Sequence, residues 1–379
     1  MKKILLIFLF SGLFAVDLKI IAVGDIMFHS PQISSAKNGK DYDFAPQFEQ
    51  IKPFLQSGDV SIGNFETTVN EKRSFSGYPL FNTPKQALKA LKDAGIDALA
   101  TANNHALDTK ISGVLETVKS IKEAGIVPFG TGEGEKFAFI NKNGINLALL
   151  AYSYGYNELE NSLNKKEKSL LNFLDETQIK DDLQKVKSLG ADFIIIYAHW
   201  GNEYQNKAND FQKNLAKKMV DLGANVVIGN HPHVVQETML YQKNENKDEN
   251  STQNFQNNFI KTDGNFTKSS GFIAFSCGNF ISNQRLETLK NIRTEQGVAF
   301  EILISKDENA TKITDIKFHP LWVNPVFQNN KKVIKTYLAN DFNASAFDKN
   351  IKFIAKNPNL RAKKAYETVK NNLEFKNLN

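Results

Sequence analysis

Polar residues that can bind metals or transfer protons follow the apolar, strand-like runs of this sequence, at the points where those runs end. Four of the six histidines lie in such places, a fifth, His29, lies four residues beyond Asp25, and they alternate with carboxylate or carboxamide residues. In open α/β sheets, ligand sites form outside the carboxyl ends of the strands, so these side chains are expected to meet at one edge. The residues at the strand ends are Asp25, Glu66, Asn104, His105, His199, His231 and His233.

This set of side chains indicates a metal centre. Imidazole and carboxylate ligands with little thiolate suit Zn, Mn or Fe. In two-metal sites, ions about 3.5–4 Å apart activate a bridging water and stabilise an oxyanion such as phosphate. His231 and His233 are separated by one proline, and in an extended segment both imidazoles would lie on one face. The predicted cofactor is therefore a divalent metal, as two ions of Mn, Fe or Zn.

Each of these residues also has a structural interpretation when it is considered alone. A single histidine at a strand end usually caps or hydrogen-bonds the backbone, Asp25 could cap the next segment, and Glu66 could be a solvated loop charge. Five such coincidences favour a shared site. His29 stays open between the two interpretations, whereas His319 has no carboxylate nearby in the sequence and is interpreted as structural. Residues 130–134 are interpreted as a glycine-rich turn, because they lack the lysine and the spacing of a P-loop.

The elements that must position these residues follow an alternation of strands and helices. Four of the predicted helices are stopped by a glycine, which is typical of helix C-termini. This rhythm predicts an α/β protein with helices on the faces of its sheets. Strands are predicted over 18–23, 60–62, 96–100, 145–151, 193–198, 226–228, 271–280, 297–304 and 313–318, and helices over 46–56, 84–94, 113–124, 176–189 and 210–222.

Two segments depart from this rhythm. Residues 242–270 contain a low-complexity insertion rich in Asn, Gln, Lys and Glu, and its centre, 242–258, is predicted to be disordered on the surface. Beyond Pro325 the composition becomes rich in Lys and Asn, and residues 326–379 are predicted to form a helical C-terminal tail. The main domain is therefore predicted to span residues 18–325.

The N-terminus has the pattern of a secretory signal peptide. Basic Met1-Lys2-Lys3 precedes an apolar run over 4–14, which is too short to span about 30 Å of hydrocarbon. Residues 1–15 are therefore predicted to be removed on export, which places the protein in the periplasm or at the cell envelope. An apolar first strand or an uncleaved anchor is the alternative.

The composition excludes other classes of function. The chain has 379 residues, with 47 Lys and Arg against 41 Asp and Glu, and export would lower its formal net charge of +6 by two, to +4. This weak bias without a basic cluster gives no basis for nucleic acid as a partner. The single cysteine, Cys277, rules out a disulfide scaffold and a cysteine-rich zinc site.

Six blocks of the sequence follow one pattern. The blocks are residues 24–27 (Gly-Asp-Ile-Met), 63–66 (Gly-Asn-Phe-Glu), 102–108 (Ala-Asn-Asn-His-Ala-Leu-Asp), 199–204 (His-Trp-Gly-Asn-Glu-Tyr), 229–236 (Gly-Asn-His-Pro-His-Val-Val-Gln) and 276–280 (Ser-Cys-Gly-Asn-Phe). This pattern resembles one known family, the CapA-type capsule synthesis proteins, also called poly-γ-glutamate biosynthesis proteins, and that family is similar to the calcineurin-like metallophosphoesterases. The resemblance covers about residues 18–325.

The resemblance implies a four-layer α/β/β/α sandwich with a two-metal centre at the carboxyl edge of its sheets. Carried over by position, His199 and His231 match two imidazole ligands of one metal, and His233 matches a ligand of the other. His105 matches the histidine that protonates a leaving group, and Asp108, three residues later, could orient it. The remaining matches to metal ligands are Asp25 and Asn104.

The chain departs from the wider superfamily at two ligand positions. Asp-x-His on the first strand is replaced by Asp-Ile-Met at 25–27, and because methionine is a poor ligand for these ions, one metal site is incomplete unless His29 contributes. Gly-Asp-x-x-Asp is replaced by Gly-Asn-Phe-Glu. Glu66 is predicted to be the bridging carboxylate, although it could instead hydrogen-bond His105, and Asn64 is the neutral alternative.

Three hypotheses for the function follow. The first is an exported metal-dependent hydrolase of capsule or poly-γ-glutamate biosynthesis, in which a metal-bound hydroxide attacks a phosphoester-like substrate and His105 acts as general acid. The alternative is a non-catalytic accessory protein that binds an anionic polymer for capsule assembly or export. Membrane proteins of capsule assembly are candidate partners. The third is a degenerate fold that serves as a scaffold for partners.

Overall fold

The computed structural model describes residues 15–243, 270–308 and 310–373. Among these residues the chain forms seventeen strands, most of which belong to two large sheets. In chain order, the strands are β1 (Val16–Ile26), β2 (Lys37–Asn38), β3 (Asp41–Tyr42), β4 (Val60–Phe65), β5 (Ala98–Ala100), β6 (Val127–Phe129), β7 (Ala138–Lys142), β8 (Ile145–Ser153), β9 (Phe193–His199), β10 (Val226–Asn230), β11 (Thr238–Gln242), β12 (Ser270–Ala274), β13 (Asn279–Ile281), β14 (Gln296–Lys306), β15 (Thr311–Gln328), β16 (Lys331–Leu338) and β17 (Lys352–Phe353).

The helices alternate with these strands through the first two thirds of the chain. The glycines that were predicted to stop four of them all have positive φ, from 74° at Gly125 to 118° at Gly223. The α-helices of the described residues are α1 (Ser30–Ala36), α2 (Ala45–Phe48), α3 (Lys52–Leu55), α4 (Gln86–Ala94), α5 (Lys110–Glu123), α6 (Lys165–Lys168), α7 (Glu176–Ser188), α8 (Asp210–Asp221), α9 (Leu286–Leu289) and α10 (Pro358–Leu373).

One predicted helix is interrupted. Residues 46–56 were predicted to form a single helix, but they form two short helices, α2 and α3. Pro53 lies in the first turn of α3, where its missing N–H costs nothing, whereas a continuous helix through this point would lose a backbone hydrogen bond.

The first large sheet contains nine strands among the described residues. Their order is β16–β15–β14–β1–β4–β5–β6, with β13 beside β1 and β17 beside β15. Strands β1, β4, β5 and β6 are parallel to one another. Strands β14, β15 and β16 continue the sheet as an antiparallel meander on the other side of β1.

The second large sheet contains six strands within the described ranges, in the order β11–β12–β10–β9–β8–β7. The four central strands are parallel, and the two outer strands pair antiparallel. The parallel strands of both sheets therefore present their carboxyl ends as a group, which is where polar residues follow the apolar runs in the sequence.

The two sheets pack face to face, and helices cover their outer faces. Ile20 and Leu149, from different sheets, belong to one buried cluster between the sheets. The next residue along each strand points the other way, as the two-residue repeat of a strand requires. Ile21 packs against helices α1 to α5, and Leu150 packs against α7 and α8. This confirms the predicted α/β fold of four layers, α/β/β/α.

The C-terminal segment differs from the helical tail predicted for residues 326–379. A helix is present as α10, but β15 runs across the proposed boundary at 325, and residues 331–338 form β16, which pairs along β15. The segment 333–337 contains Val, Ile, Thr and Tyr and is buried, so packing on the sheet decides its structure against the helical composition around it.

Two other predictions lie outside the described residues. The signal peptide at 1–15 does so except for its last residue, and the low-complexity insertion does so over 244–269. The two ends of the insertion are brought together, because Gln242 of β11 pairs with Ser270 of β12. No helix in the described part of the chain has both the length and the apolar character needed to cross a membrane.

Candidate metal centre

The strand-end residues of both sheets meet at one edge of the sandwich. Asp25 lies in β1 and Glu66 directly follows β4, in the first sheet. His199 ends β9, and His231 and His233 follow β10, in the second sheet. All five side chains are buried, with at most 5% of any of these residues exposed. The structure therefore brings together the residues that the sequence placed after separate strands.

The acidic and imidazole groups form two sets of three that share Glu66. One set is Glu66, His199 and His231, and the other is Asp25, Glu66 and His233. Within each set, the potential ligand atoms all lie within 4.8 Å of one another. Each set is small enough to surround one ion, and Glu66 is the residue common to both.

Glu66 is oriented for this role. Its Oε1 lies 3.6 Å from Nε2 of His199 and 3.7 Å from Nε2 of His233. These separations are too long for hydrogen bonds, and Oε1 is a buried atom without a hydrogen-bond partner. Nδ1 of His231 is also buried without a partner. Because an orphaned carboxylate oxygen and an orphaned imidazole nitrogen are costly unless a cation binds them, the residues present fit a metal centre.

The electrostatics of the two carboxylates also fit a cation. Burial, together with the charge of Asp25, raises the pKa of Glu66 well above its usual value. Burial acts in the same direction on Asp25, but hydrogen bonds from His233 and Asn64 outweigh it and hold the pKa of Asp25 below its usual value. Nδ1 of His233 lies 3.0 Å from Oδ2 of Asp25. The potential ligand oxygens of Asp25 and Glu66 lie within 4.8 Å of each other. Two charged carboxylates at this separation would repel each other, and a divalent ion beside them would relieve that repulsion.

The two asparagines near these sets have different surroundings. Oδ1 of Asn104 lies 2.9 Å from Nε2 of His199, so its carbonyl faces the first set. Asn64 instead directs its amide at the carboxylates, with Nδ2 2.8 Å from Oδ1 of Asp25 and 3.4 Å from Oε2 of Glu66. Its own carbonyl accepts from Asn103 at 3.3 Å. The amide of Asn64 thus hydrogen-bonds both carboxylates, and its carbonyl is occupied by Asn103.

The segment that carries His231 and His233 is not extended. His231 has φ 98° and His233 has φ 55°, both in the left-handed region that residues other than glycine rarely adopt. The expectation that an extended Pro232 segment would place both imidazoles on one face is wrong, because the backbone turns at each histidine. The two imidazoles consequently belong to different sets.

Gly24 explains how β1 comes close enough to deliver Asp25. A Cβ at Gly24 would lie 2.0 Å from the carbonyl oxygen of Gly278. Asp25 then donates its backbone N–H to that same carbonyl at 3.1 Å. The glycine is needed for this close approach of two backbones, and a side chain there would push Asp25 away from the site.

His105 and Asp108 form a buried pair beside the two sets. Nδ1 of His105 lies 2.8 Å from Oδ2 of Asp108. The backbone N–H of Phe81 donates to the same oxygen at 2.6 Å, and its ring packs edge-on against His105 at 4.7 Å between centroids. Burial raises the pKa of Asp108, although the hydrogen bond with His105 opposes this shift. The oxygens of Glu66 lie near His199, His233 and Asn64.

Met27 and His29, which follow β1, belong to neither set. The hydroxyl of Ser282 donates to the sulfur of Met27 at 3.9 Å. Nδ1 of His29 accepts from the backbone N–H of Asn283 at 3.3 Å, and burial lowers the pKa of His29 to about 3. Its ring packs against Phe81. His29 is therefore a buried, hydrogen-bonded residue at the start of α1, outside both sets of ligand atoms.

Two tyrosines at the site were missed by the sequence reasoning. Tyr154, which is 46% exposed, lies with its ring 4.8 Å from that of His231 and parallel to that of His199. Burial and the charge of Glu66 raise the pKa of Tyr154 to about 12. Tyr204 lies 6.2 Å from His233, between ring centroids. Tyr154 directly follows β8, so the same strand-end rule could have found it.

His319 belongs to neither set of ligand atoms. Its Nε2 lies 3.2 Å from Oε2 of Glu301, which is on the neighbouring strand β14. The carboxylate that seemed absent near His319 in the sequence is therefore supplied by strand pairing, and the structural interpretation of this histidine agrees with that contact.

Comparison with known proteins gives this site a family context. The family model described as bacterial capsule synthesis protein PGA_cap matches residues 19–284. The chain is similar to the capsule biosynthesis protein CapA of Bacillus anthracis, with 30% identity over 276 residues that cover 69% of this chain and 59% of that protein. It is also similar to the PGA biosynthesis protein CapA of Bacillus subtilis (strain 168), with 28% identity over 228 residues that cover 58% of each. The chain thus spans less than two thirds of the length of these relatives.

Solved structures are similar at lower identity. The calcineurin-like phosphoesterase YfkN from Bacillus subtilis has a TM-score of 0.48 and 15% identity, covering 94% of this chain and 98% of that one. The NAD nucleotidase NadN of Haemophilus influenzae has a TM-score of 0.42 and 14% identity, covering 94% and 56%.

Proposed function

Because the chain belongs to the bacterial capsule synthesis protein family PGA_cap, we propose that it is a metal-dependent hydrolase of capsule or poly-γ-glutamate biosynthesis that acts on a phosphoester-like substrate. The observation that carries this proposal is the membership of Glu66 in both sets of ligand atoms. A purely structural cluster has no need for a buried carboxylate oxygen that two imidazoles approach but do not hydrogen-bond.

The residues that would hold two divalent ions, Mn, Fe or Zn, come from both sheets and share one bridging carboxylate. Divalent ions in such a site supply Lewis acidity and an activated water, which is the chemistry that phosphoester hydrolysis needs. The proposed ligands are Asp25, Glu66, Asn104, His199, His231 and His233.

His105 is proposed as the general acid, with Asp108 as the residue that positions it. The short contact between Nδ1 of His105 and Asp108 holds a proton on Nδ1, which leaves Nε2 as the nitrogen for proton transfer. The negative charge of Asp108 stabilises the imidazolium, which is the form that donates to a leaving oxygen. The amide of Phe81 fixes the carboxylate in turn. His105 would return to the neutral form after it protonates the leaving group.

Two acidic residues near Tyr154 disfavour a polyanion as the substrate. The negative charges of Glu203 and Glu160 act on Tyr154 and, together with burial, raise its pKa. A chain of carboxylates would be repelled by these two groups. This observation supports hydrolysis of a small ester more than the alternative, the binding of an anionic polymer such as poly-γ-glutamate.

Action on envelope polymers requires export, which we also propose. The support is the family itself together with the signal-peptide pattern of residues 1–15, which lie almost wholly outside the described structure. Components of capsule assembly in the membrane are the partners that this location would offer.

Hydrolysis by the purified protein tests the proposal. The protein would be loaded with Mn, Fe or Zn and offered phosphomonoesters, phosphodiesters and γ-glutamyl peptides. We expect turnover of a phosphoester, its loss in His231→Ala and a decrease of about 10²–10⁴-fold in His105→Ala, which is the usual range for general acid catalysis. His319→Ala is the control, since its imidazole pairs with Glu301. No turnover of any phosphoester, with His105→Ala equal to wild type, would contradict the proposal. Polymer binding without turnover, lost in His231→Ala, would favour the accessory role.

A further inference from the structure

The C-terminal helix contacts the loop that carries two of the proposed metal ligands, although it lies beyond the residues matched by the family model. One face of α10 is buried, through Ala362, Ala365, Val369 and Leu373. Val369 and Leu373 enter the core between the two sheets, where Val235 is also buried. The last turn of α10 is therefore part of the interior beneath the site.

A hydrogen bond joins this turn directly to the ligand loop. Nδ2 of Asn372 donates to the carbonyl oxygen of Val235 at 3.1 Å. Val235 is two residues beyond His233, and its backbone also bridges to Cys277. The amide of Asn372 thus fixes the backbone at the point where it leaves the two histidines.

The histidines need such restraint because their conformation is strained. Non-glycine residues in the left-handed region are strained and persist only where their surroundings hold them. His231 and His233 are both in that region. The carbonyl of Pro232 accepts from the backbone N–H of Tyr204 at 2.8 Å, and the carbonyl of His233 accepts from Nδ2 of Asn279 at 3.4 Å. Contacts on the segment, and not its own preference, maintain the turn.

A series of hydrogen bonds also connects the first turn of α10 to the same segment. Nε of Arg361 donates to Oε1 of Glu295 at 2.8 Å, and Glu295 is almost fully buried. The residue before it, Thr294, accepts from Nδ2 of Asn279 at 2.8 Å. This is the amide that also donates to His233. Helix α10 therefore supports the ligand loop from both of its ends.

We propose that α10 is a positioning element of the metal centre, in which Asn372 keeps His231 and His233 in the strained conformation that binds metal. The inference rests on the proposed function, because it takes these two imidazoles as ligands. It assigns the C-terminal segment a role in metal affinity that acts through the ligand loop, without any contact between α10 and the metal.

Isothermal titration of the metal-free full chain with Mn²⁺ tests the inference. Asn372→Ala is compared with Asn371→Ala, a control at the exposed neighbouring position of the same helix, which changes helix propensity equally. We expect Asn372→Ala to weaken Mn²⁺ binding about tenfold, at the low end of the effects of residues that orient ligands. Asn371→Ala is expected to bind like wild type, and Asn372→Gln, which keeps an amide donor, to recover most of the affinity.

Asn372→Asp provides a second variant if the alanine variant does not fold. It keeps the size of the side chain but turns the donor into an acceptor, and it is expected to weaken binding at least as much. Folding is checked from the thermal unfolding of each variant in chelator. Folded Asn372 variants that bind Mn²⁺ as tightly as wild type would overturn the inference and leave the proposed function intact. A wild-type chain that binds none of Mn²⁺, Fe²⁺ or Zn²⁺ would overturn both.

Discussion

Replacement of Glu66 by glutamine should have opposite effects on the metal-free and the metal-loaded protein. In the metal-free protein, the buried Glu66 has a pKa raised by burial and by Asp25. A group whose pKa is raised in the folded state lowers stability as pH rises above its unfolded value, so at pH 7 an ionisable Glu66 costs stability that a neutral glutamine does not.

The size of this cost has a ceiling. Between an unfolded carboxyl value of about 4.3 and pH 7, each unit is worth about 1.36 kcal/mol, so the cost cannot exceed about 3.7 kcal/mol. Glutamine also keeps an oxygen that can accept from Nδ2 of Asn64, which now lies 3.4 Å from Oε2 of Glu66. We therefore expect the metal-free Glu66→Gln protein to be as stable as wild type or more stable.

The metal-loaded protein should show the reverse. A ligand at one hundred times its dissociation constant stabilises the folded state by about 2.7 kcal/mol. Because Glu66 belongs to both sets of ligands, glutamine removes the charged ligand from both sites at once. The stabilisation by Mn²⁺ should then be small or absent in the variant.

Thermal unfolding in chelator and in excess Mn²⁺ measures both effects. Glu301→Gln is the control, since Glu301 is a buried carboxylate that pairs with His319 and belongs to neither set. Its response to Mn²⁺ should equal that of wild type. If Glu66→Gln is stabilised by Mn²⁺ as strongly as wild type, or if the metal-free variant is several kcal/mol less stable, the assignment of Glu66 as the shared ligand is refuted.

Four further predictions concern single residues near the site. Asp108→Asn should lower turnover of a phosphoester about 100-fold, because the imidazolium of His105 loses its anionic partner. Metal content, measured by elemental analysis beside the kinetics, should stay unchanged. Loss of metal from the variant would show a structural effect instead. His29 has a pKa of about 3 in the fold against about 6.5 when unfolded, so its neutral form stabilises the protein above pH 6.5 and this stability is lost as pH falls. Between pH 6.5 and 5, the free energy of unfolding of the metal-free protein should therefore fall by up to about 2 kcal/mol because of this residue, and this part of the decrease should be absent in His29→Gln. Denaturant unfolding measures it. If the free energy of unfolding depends on pH equally in the two proteins, the contribution of His29 is contradicted. Burial raises the pKa of the Cys277 thiol, so a thiol reagent at pH 8 should label it only after unfolding, and rapid labelling of the folded chain would show that this strand-end segment opens. Glu203→Gln should strengthen the binding of poly-γ-glutamate relative to that of a small phosphoester, because it removes a negative charge near Tyr154. An unchanged ratio of the two dissociation constants would show that this charge does not select against a polyanion.

Much of the fold could be predicted because local signals and packing agree. Apolar runs ended by polar residues gave the strands, and glycines such as Gly95 and Gly223 gave the helix ends, where a positive φ is required. The family resemblance is confirmed, with residues 19–284 matched by the family model. The position of Glu66 followed from the same reasoning, because a residue directly after a parallel strand must lie at the carboxyl edge of the sheet.

Other features depend on contacts that no local pattern specifies. The left-handed conformation of His231 and His233 is held by groups far along the chain, among them Tyr204 and Asn279. The strand at 331–338 was hidden by a composition typical of helices and is decided by pairing with β15. The hydrogen bond from Asn372 to the ligand loop spans 137 residues, so only the folded chain shows it.

Electron paramagnetic resonance of the Mn²⁺-loaded protein tests the central claim, that Glu66 joins two metal sites. Two Mn²⁺ ions bridged by one carboxylate are magnetically coupled, so we predict the multiline spectrum of a coupled pair, which disappears in Glu66→Gln. A spectrum of isolated Mn²⁺ ions, or no bound Mn²⁺ at all, would contradict the claim.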